Sequence, residues 1–237
     1  SNDVCMKFLG NPIENSMFLE PVTENEILSL LNDLAIKKAT GSDDLPVKIW
    51  KDNAKFLFPV LTKLINEMFD SAVYPDVLKI AAIKPIHKDG SKVNLNNYRG
   101  ISLLPTINKI VERAIYDRIE KFLIKNKQFD ELQFGYRRHY GTQDALCKLY
   151  NTISKALDKK KFVVAVFLDI SKAFDSINHK LLLFKLEKMG IRGKSLDLIK
   201  SYLNNRQQFV KIMDVCSEIA EVLFGVPQGS CLGPLLF

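Results

Sequence analysis

The sequence predicts an α+β fold, with a helix-rich lobe set on a sheet-based lobe. Three observations predict it. A capping box at Thr23-Glu24-Asn25-Glu26 opens a series of helical segments. A seven-residue apolar run, Phe162 to Leu168, is β-branched and aromatic and reads as a buried central strand. Two short segments near the end, Gln208 to Met213 and Ile219 to Phe224, read as paired strands.

The elements follow in order. Ile27, Leu30, Leu31 and Leu34 stand at helical spacing behind the capping box, and that helix ends before Gly41. After the polar loop ATGSDDLP, Val47 to Trp50 and Phe56 to Phe69 read as helical pieces closed by Tyr74-Pro75. Leu78 to Ile86 is short, apolar and bounded by Asp89-Gly90, a strand running into a turn. Ile107, Ile110, Val111, Ala114, Ile115, Ile119 and Phe122 form the clearest amphipathic helix, with Pro105 at its start. His179 to Met189 and Ser195 to Leu203 read as helices separated by Gly190 and Gly193.

Composition bounds the class. The chain has 237 residues, of which 47% are apolar and 26% charged, so it holds enough apolar surface to offset the entropy of ordering. No apolar run approaches the roughly 20 residues of a membrane helix, and the first residues lack the basic and apolar regions of a secretory signal. The chain begins on Ser1, as expected of a fragment. Cys5, Cys147, Cys216 and Cys231 form no C-x-x-C pair, which points to a reduced, intracellular setting. His87, His139 and His179 are too far apart to make a local metal-ligand pair.

The formal charge is +7. Residues 79–127 carry eleven Lys and Arg against four Asp and Glu, so this stretch matches the excess of the whole chain. Concentrated positive charge suits a polyanion, because phosphate chains release counterions when bound. A solvated helix face is the plainer reading of the same charges.

Three places could carry chemistry. Asp169 directly follows the apolar run, where a buried strand exposes a polar group, and a carboxylate there suits a hard cation such as Mg²⁺. Asp169 and Asp175 could equally cap the next turn or helix. In Gly225-Val226-Pro227-Gln228-Gly229-Ser230, two glycines and a proline shape a turn that admits close backbone approach, and the Gln228 amide suits a base edge or phosphate. A strand-to-helix connection would need nothing more. Lys88 and Arg99 flank a loop that could fold over a triphosphate, which Arg grips as a fork and Lys as a point charge. It is also simply a basic loop.

Together these blocks resemble the reverse transcriptase of non-LTR (LINE-type) retrotransposons, close to the jockey-like branch. IKPIHKDGSKVNLNNYRGISLLPTINKIVERAIYDRI, FLDISKAFDSINHKLLL and GVPQGSCLGPLLF carry the resemblance, and KKATGSDDLP and LQFGYRRHYGTQDAL extend it over roughly residues 20–237. Group II intron enzymes are the nearest confusable set. The resemblance implies the fingers and partial palm of a right-handed polymerase, with an antiparallel palm sheet and no thumb. It implies a helical extension and fingers over 1–77, basic nucleotide- and template-binding fingers over 78–160, and partial palm over 161–237. It assigns Asp169 as the first catalytic carboxylate, with the Ile170 carbonyl as a further metal ligand. Phe174 is the aromatic that bars a 2′-hydroxyl. Arg99 and Lys88 meet the incoming triphosphate, and Gln228 and Gly229 meet the nascent base pair. Lys109, Arg113 and Arg118 are the candidate nucleic-acid contacts of the basic helix. Mg²⁺, with Mn²⁺ as a substitute, is the implied cofactor. An RNA template with DNA primer and deoxynucleoside triphosphates are the implied partners, without a membrane. The family's life cycle implies nucleus and cytoplasm.

Two departures matter. The family's Tyr-Ala-Asp-Asp motif does not occur, and Tyr98-Arg99-Gly100 replaces the usual Tyr-Arg-Pro. Two-metal transfer needs several carboxylates, so the chain as given is expected not to polymerise. The alternatives are a non-catalytic nucleic-acid-binding remnant of a decayed element and a Mg²⁺-dependent phosphohydrolase. The latter usually needs an acid two residues after its nucleophile, where Ser171 stands.

Overall fold

A computed structural model describes residues 12–35 and 40–237. Helix α1 (Glu24–Asn32) is followed by α2 (Val47–Asp52), α3 (Ala54–Ser71), strands β1 (Ile80–His87) and β2 (Tyr98–Leu103), and α4 (Thr106–Lys125). Then come α5 (Thr142–Asp158), α6 (His179–Lys188), α7 (Lys194–Leu203), β3 (Gln207–Ile212), β4 (Val215–Cys216), β5 (Ala220–Glu221) and the short α8 (Gly233–Leu236). Cys5, the approach to Gly41, and Lys37-Lys38-Ala39 of the KKATGSDDLP block lie outside the described residues.

The helical core forms where the spacing puts it. Ile110, Val111, Ala114, Ile115, Ile119 and Leu123 of α4 are buried against Leu61, Ile65, Met68 and Phe69 of α3 and Leu198, Ile199 and Tyr202 of α7. Residues 12–22 lie across this core: Met17 N–H donates to Gly190 O, and the Asn66 side chain bonds both the N–H and the carbonyl of Val22. The capping box forms by half. The Thr23 hydroxyl accepts the Glu26 N–H, but the Glu26 carboxylate turns to Arg118 instead.

The sheet is mixed. β1 pairs antiparallel with β2, from Ala82 opposite Leu103 to His87 opposite Tyr98. β1 also pairs parallel with β3, from Ile80 opposite Gln207 to Ile83 opposite Val210. β4 and β5 pair antiparallel with β3. Within residues 161–237 the pairing is antiparallel, and the parallel pair joins β3 to β1. Pro85 lies beyond the parallel register, where its missing N–H interrupts no ladder on that side. Residues 98–103, at the far side of the loop that Lys88 and Arg99 flank, form β2 because the Asp89-Gly90 turn sends the chain back along β1. Lys88 N–H closes that return on Asn97 O at 2.8 Å.

Phe162 to Leu168 is not a buried strand. It is extended, belongs to no ladder and is exposed, with Leu168 at 90%. A two-faced apolar strand needs pairing neighbours and a layer on each face. Here β1 and β3 each already have neighbours on both sides, so the segment has no vacant ladder between them. The preceding helix, α5, repeats this: none of its residues is buried, although Leu146, Leu149, Tyr150, Ile153 and Leu157 recur at helical spacing.

Arg118 is a structural residue, which corrects its reading as a nucleic-acid contact. Its guanidinium donates to the Glu26 carboxylate at 2.7 and 3.0 Å and to the carbonyls of Glu20, Pro21 and Ala114, and it lies over the Phe69 ring. A largely buried charge with five acceptors is satisfied within the fold. Replacing it by Met strands those acceptors, and urea unfolding should show a loss of about 2–3 kcal/mol. A loss under about 0.5 kcal/mol would return Arg118 to the surface-contact class.

Candidate active site

Two of the sequence blocks are joined by backbone. Gly225 N–H donates to Ile177 O at 2.8 Å and Val226 N–H to Phe174 O at 2.9 Å. The His179 ring nitrogen lies 2.6 Å from Gly225 O. Asn178 caps α6 through Leu181 N–H, which holds His179 at the helix start. The Phe174-to-His179 segment and the glutamine turn therefore share one edge.

Gly225 makes this contact possible. It has φ +83°, and a Cβ there would stand 2.6 Å from Phe174 O and 2.7 Å from Asp175 Cα. Any side chain would push the two blocks apart and strain the backbone.

The third block joins at the other end of the turn. Ser102 N–H donates to Gln228 O at 2.8 Å, so the turn continues the edge of β2, the strand that carries Arg99. Arg99 is exposed opposite Ile86, and Lys88 is exposed where the β1–β2 connection begins. Lys84 and Lys92 are exposed on the same hairpin. A cleft of about 270 Å³ lies along this junction, and Ser102, Asp175, Arg206, Gln207, Gln208 and Gln228 line it with apolar groups from β1 and β3. Phe174 is half-buried between the rings of Tyr136 and Phe237, at 5.8 and 5.4 Å.

Asp169 and Ile170 are not drawn in. Both are exposed on the unpaired segment, and neither lines the cleft. Among the described residues no group of three His, Cys, Asp or Glu is placed to hold a metal ion.

The basic stretch divides in two. The hairpin cations face solvent, while several helix cations are held by acids: Arg113 by Asp117 at 3.2 Å, Lys121 by Glu20 at 3.2 Å, and Arg118 as described. Arg113 remains partly exposed beside the Tyr116 ring. Lys109 lines a second cleft of about 270 Å³, between β2, the start of α4 and Gly229-Ser230-Cys231.

Sequence reading missed a buried polar cluster behind the turn. Glu112, Asn108, Tyr74, Tyr202, Arg206 and Ser230 are all buried. Burial pushes the Glu112 carboxyl above its ordinary value, against the opposing pull of Arg206 and of donors from Tyr202, Cys231 and Leu232. Burial, then Glu112, raise the phenols of Tyr74 and Tyr202 well above theirs. Arg206 gives one nitrogen to Tyr202 O at 3.1 Å and stacks on the Tyr202 ring, but its other terminal nitrogen has no partner. One signal was available: Asn108 and Glu112 fall in phase with Ile115 and Ile119 on the apolar face of α4. Apart from that cluster, Arg138 of YRRHYGT reaches back to Asp117 and Glu120 and docks its loop on α4.

Comparisons with known proteins agree on one family. Residues 86–237 match the model described as "Reverse transcriptase (RNA-dependent DNA polymerase)". The RNA-directed DNA polymerase from mobile element jockey of Drosophila melanogaster is 34% identical over 235 residues, covering 98% of this chain and 25% of that protein. Its counterpart in Drosophila funebris is 34% identical over 233 residues, covering 97% of this chain and 25% of the relative. The probable RNA-directed DNA polymerase from transposon BS of Drosophila melanogaster is 32% identical over 230 residues, again 97% and 25%. The chain thus spans about a quarter of the length of these relatives.

Gly225→Ala tests the junction. It should cost about 2–3 kcal/mol, from strain at positive φ and from overpacking against Phe174 O. Hydrogen exchange should quicken at Gly225 and Val226 first, ahead of the α3–α4 core. Unchanged exchange there would show that the two blocks are not held by this contact.

Proposed function

The chain belongs to the reverse transcriptase (RNA-dependent DNA polymerase) family, and from that premise we propose that it supplies the fingers and part of the palm of a jockey-like non-LTR retrotransposon polymerase. The observation that carries the reading is the junction just described. It joins the AFDS segment, the glutamine turn and the arginine-bearing strand, which three sequence blocks supply separately.

Nucleotidyl transfer asks a protein mainly for positioning and charge neutralisation. Arg99 and Lys88 would grip the triphosphate of a deoxynucleotide from the exposed hairpin, Arg by its fork and Lys as a point charge. Phe174, wedged between two other rings, would present an unyielding edge where a ribose 2′-hydroxyl would otherwise sit. Gln228 and Gly229 would meet the nascent base pair, with Gln228 held by its own carbonyl to β2. Lys109 and Arg113 would meet the RNA template paired with a DNA primer.

Reverse transcriptases use divalent metal ions, and Mg²⁺, or Mn²⁺ in its place, is the ion this reading implies. Such ions prefer oxygen ligands in an octahedron, and a two-ion centre needs several acids. Asp169 with the Ile170 carbonyl does not make that set among the described residues. The residues present do not fit a two-ion centre, and on this reading the polypeptide binds template and nucleotide without polymerising. The same observation favours one second reading, a nucleic-acid-binding remnant.

The direct test offers the chain an RNA template, a DNA primer, deoxynucleotides and Mg²⁺ or Mn²⁺. Binding should occur and weaken with salt, as counterion release requires. The matching deoxynucleotide should tighten it, and Arg99→Ala with Lys88→Ala should reduce that gain about tenfold. No primer should be extended. Extension abolished by Asp169→Ala would contradict the inactivity, and absence of salt-dependent binding would contradict the reading itself.

A further inference from the structure

We propose that Glu112 is a positioning residue that couples RNA contact on α4 to the setting of the glutamine turn. The inference rests on the preceding reading of Gln228 and Gly229 as nucleotide-facing and of Lys109 and Arg113 as RNA-facing.

Glu112 lies within α4 and is 1% exposed. Four donors converge on its carboxylate. Oε1 accepts the Asn108 amide at 2.7 Å and the Tyr202 hydroxyl at 2.9 Å. Oε2 accepts the backbone N–H of Cys231 at 2.6 Å and of Leu232 at 3.4 Å. Two oxygens that only accept are what this arrangement requires. A glutamine would keep its oxygen on the backbone amides and donate to the Asn108 and Tyr202 oxygens, so only a shorter side chain, or one without an acceptor, releases the turn.

The division between the two oxygens is the informative part. Oε1 is bound to α4 itself and to α7. Oε2 is bound to the residues that follow Gly229-Ser230. The far end of the turn is tied to β2 through Ser102 N–H and Gln228 O. The Gln228–Gly229 pair thus hangs between two anchors, one on β2 and the other on a side chain of α4. Ser230 adds a local brace by accepting Gly233 N–H at 2.8 Å.

A second observation is a cleft at the same point. Lys109 and Glu112 line one cleft together with Ser102, Gly229, Ser230 and Cys231. A strand entering there touches the α4 cation and the turn in one step. A shift of α4 toward that strand travels through Oε2 to the amides of Cys231 and Leu232. With the carboxylate removed, the turn still folds on its β2 anchor but no longer follows the helix.

The test is hydrogen exchange on the whole chain, with and without an RNA-template/DNA-primer duplex. In the wild-type chain the duplex should slow exchange over residues 228–232 about tenfold. In Glu112→Asp, one methylene too short to reach both anchors, the duplex should still bind, while that slowing falls below about threefold. Ile115→Val lowers stability on the same helix without touching the carboxylate, so it should keep the full response. Tyr202→Phe removes a donor from Oε1 only and should also keep it. Should Glu112→Asp fail to fold, Glu112→Ala, which leaves no acceptor, should lose the response. A wild-type response in the folded Glu112 variant, or a lost response in Ile115→Val, overturns the proposal. Failure of the wild-type chain to bind the duplex overturns the proposed function, and the coupling falls with it.

Discussion

The arrangement depends on a carboxylate buried to 1% exposure. Placing Glu112 inside the helical core carries a desolvation penalty of several kcal/mol. Only a full set of donors makes that burial tolerable, and the donors come from three places: α4 itself, α7, and the chain after the glutamine turn. The carboxylate therefore dictates which segments meet. Arg206 contributes opposite charge from the end of α7, and the rings of Tyr74 and Tyr202 close the cluster edge to face at 5.0 Å. Without these partners the acid would have no reason to sit on an apolar helix face.

Much of the helical lobe was legible. The apolar positions of α4 recur at 3.6-residue spacing, and Gly190 and Gly193 separate α6 from α7 as punctuation predicts. The blocks of the candidate site were legible as words, but their meeting was not. No local pattern says that Gly225 N–H will find Ile177 O, forty-eight positions away. Phe162 to Leu168 was misread because a run of apolar residues reports what a strand would gain from burial. It does not report whether neighbours exist to bury it. Arg118 was misread for a related reason. Charge counts treat every cation as facing solvent, whereas this one is consumed by carbonyls nearly a hundred residues earlier in the chain.

The site is correspondingly uneven. Phe174, Ile177, Gln228 and the β2 edge are tied by backbone hydrogen bonds. The hairpin cations stand exposed beside them, suited to a phosphate ligand that arrives from solution. The acid that would supply metal chemistry is on an extended segment outside this frame. The backbone frame is assembled, and among the described residues no group of three His, Cys, Asp or Glu is placed to hold a metal ion.

The central claim is that β2 and the glutamine turn form one nucleotide-facing edge. The most direct measurement is photocrosslinking from a template base opposite the primer end, with the adducts mapped by peptide mass. The account predicts adducts within residues 97–103 and 225–231, together and in the same sample. Adducts confined to α5 or to the exposed 162–170 segment, with both predicted peptides unmodified, would contradict it.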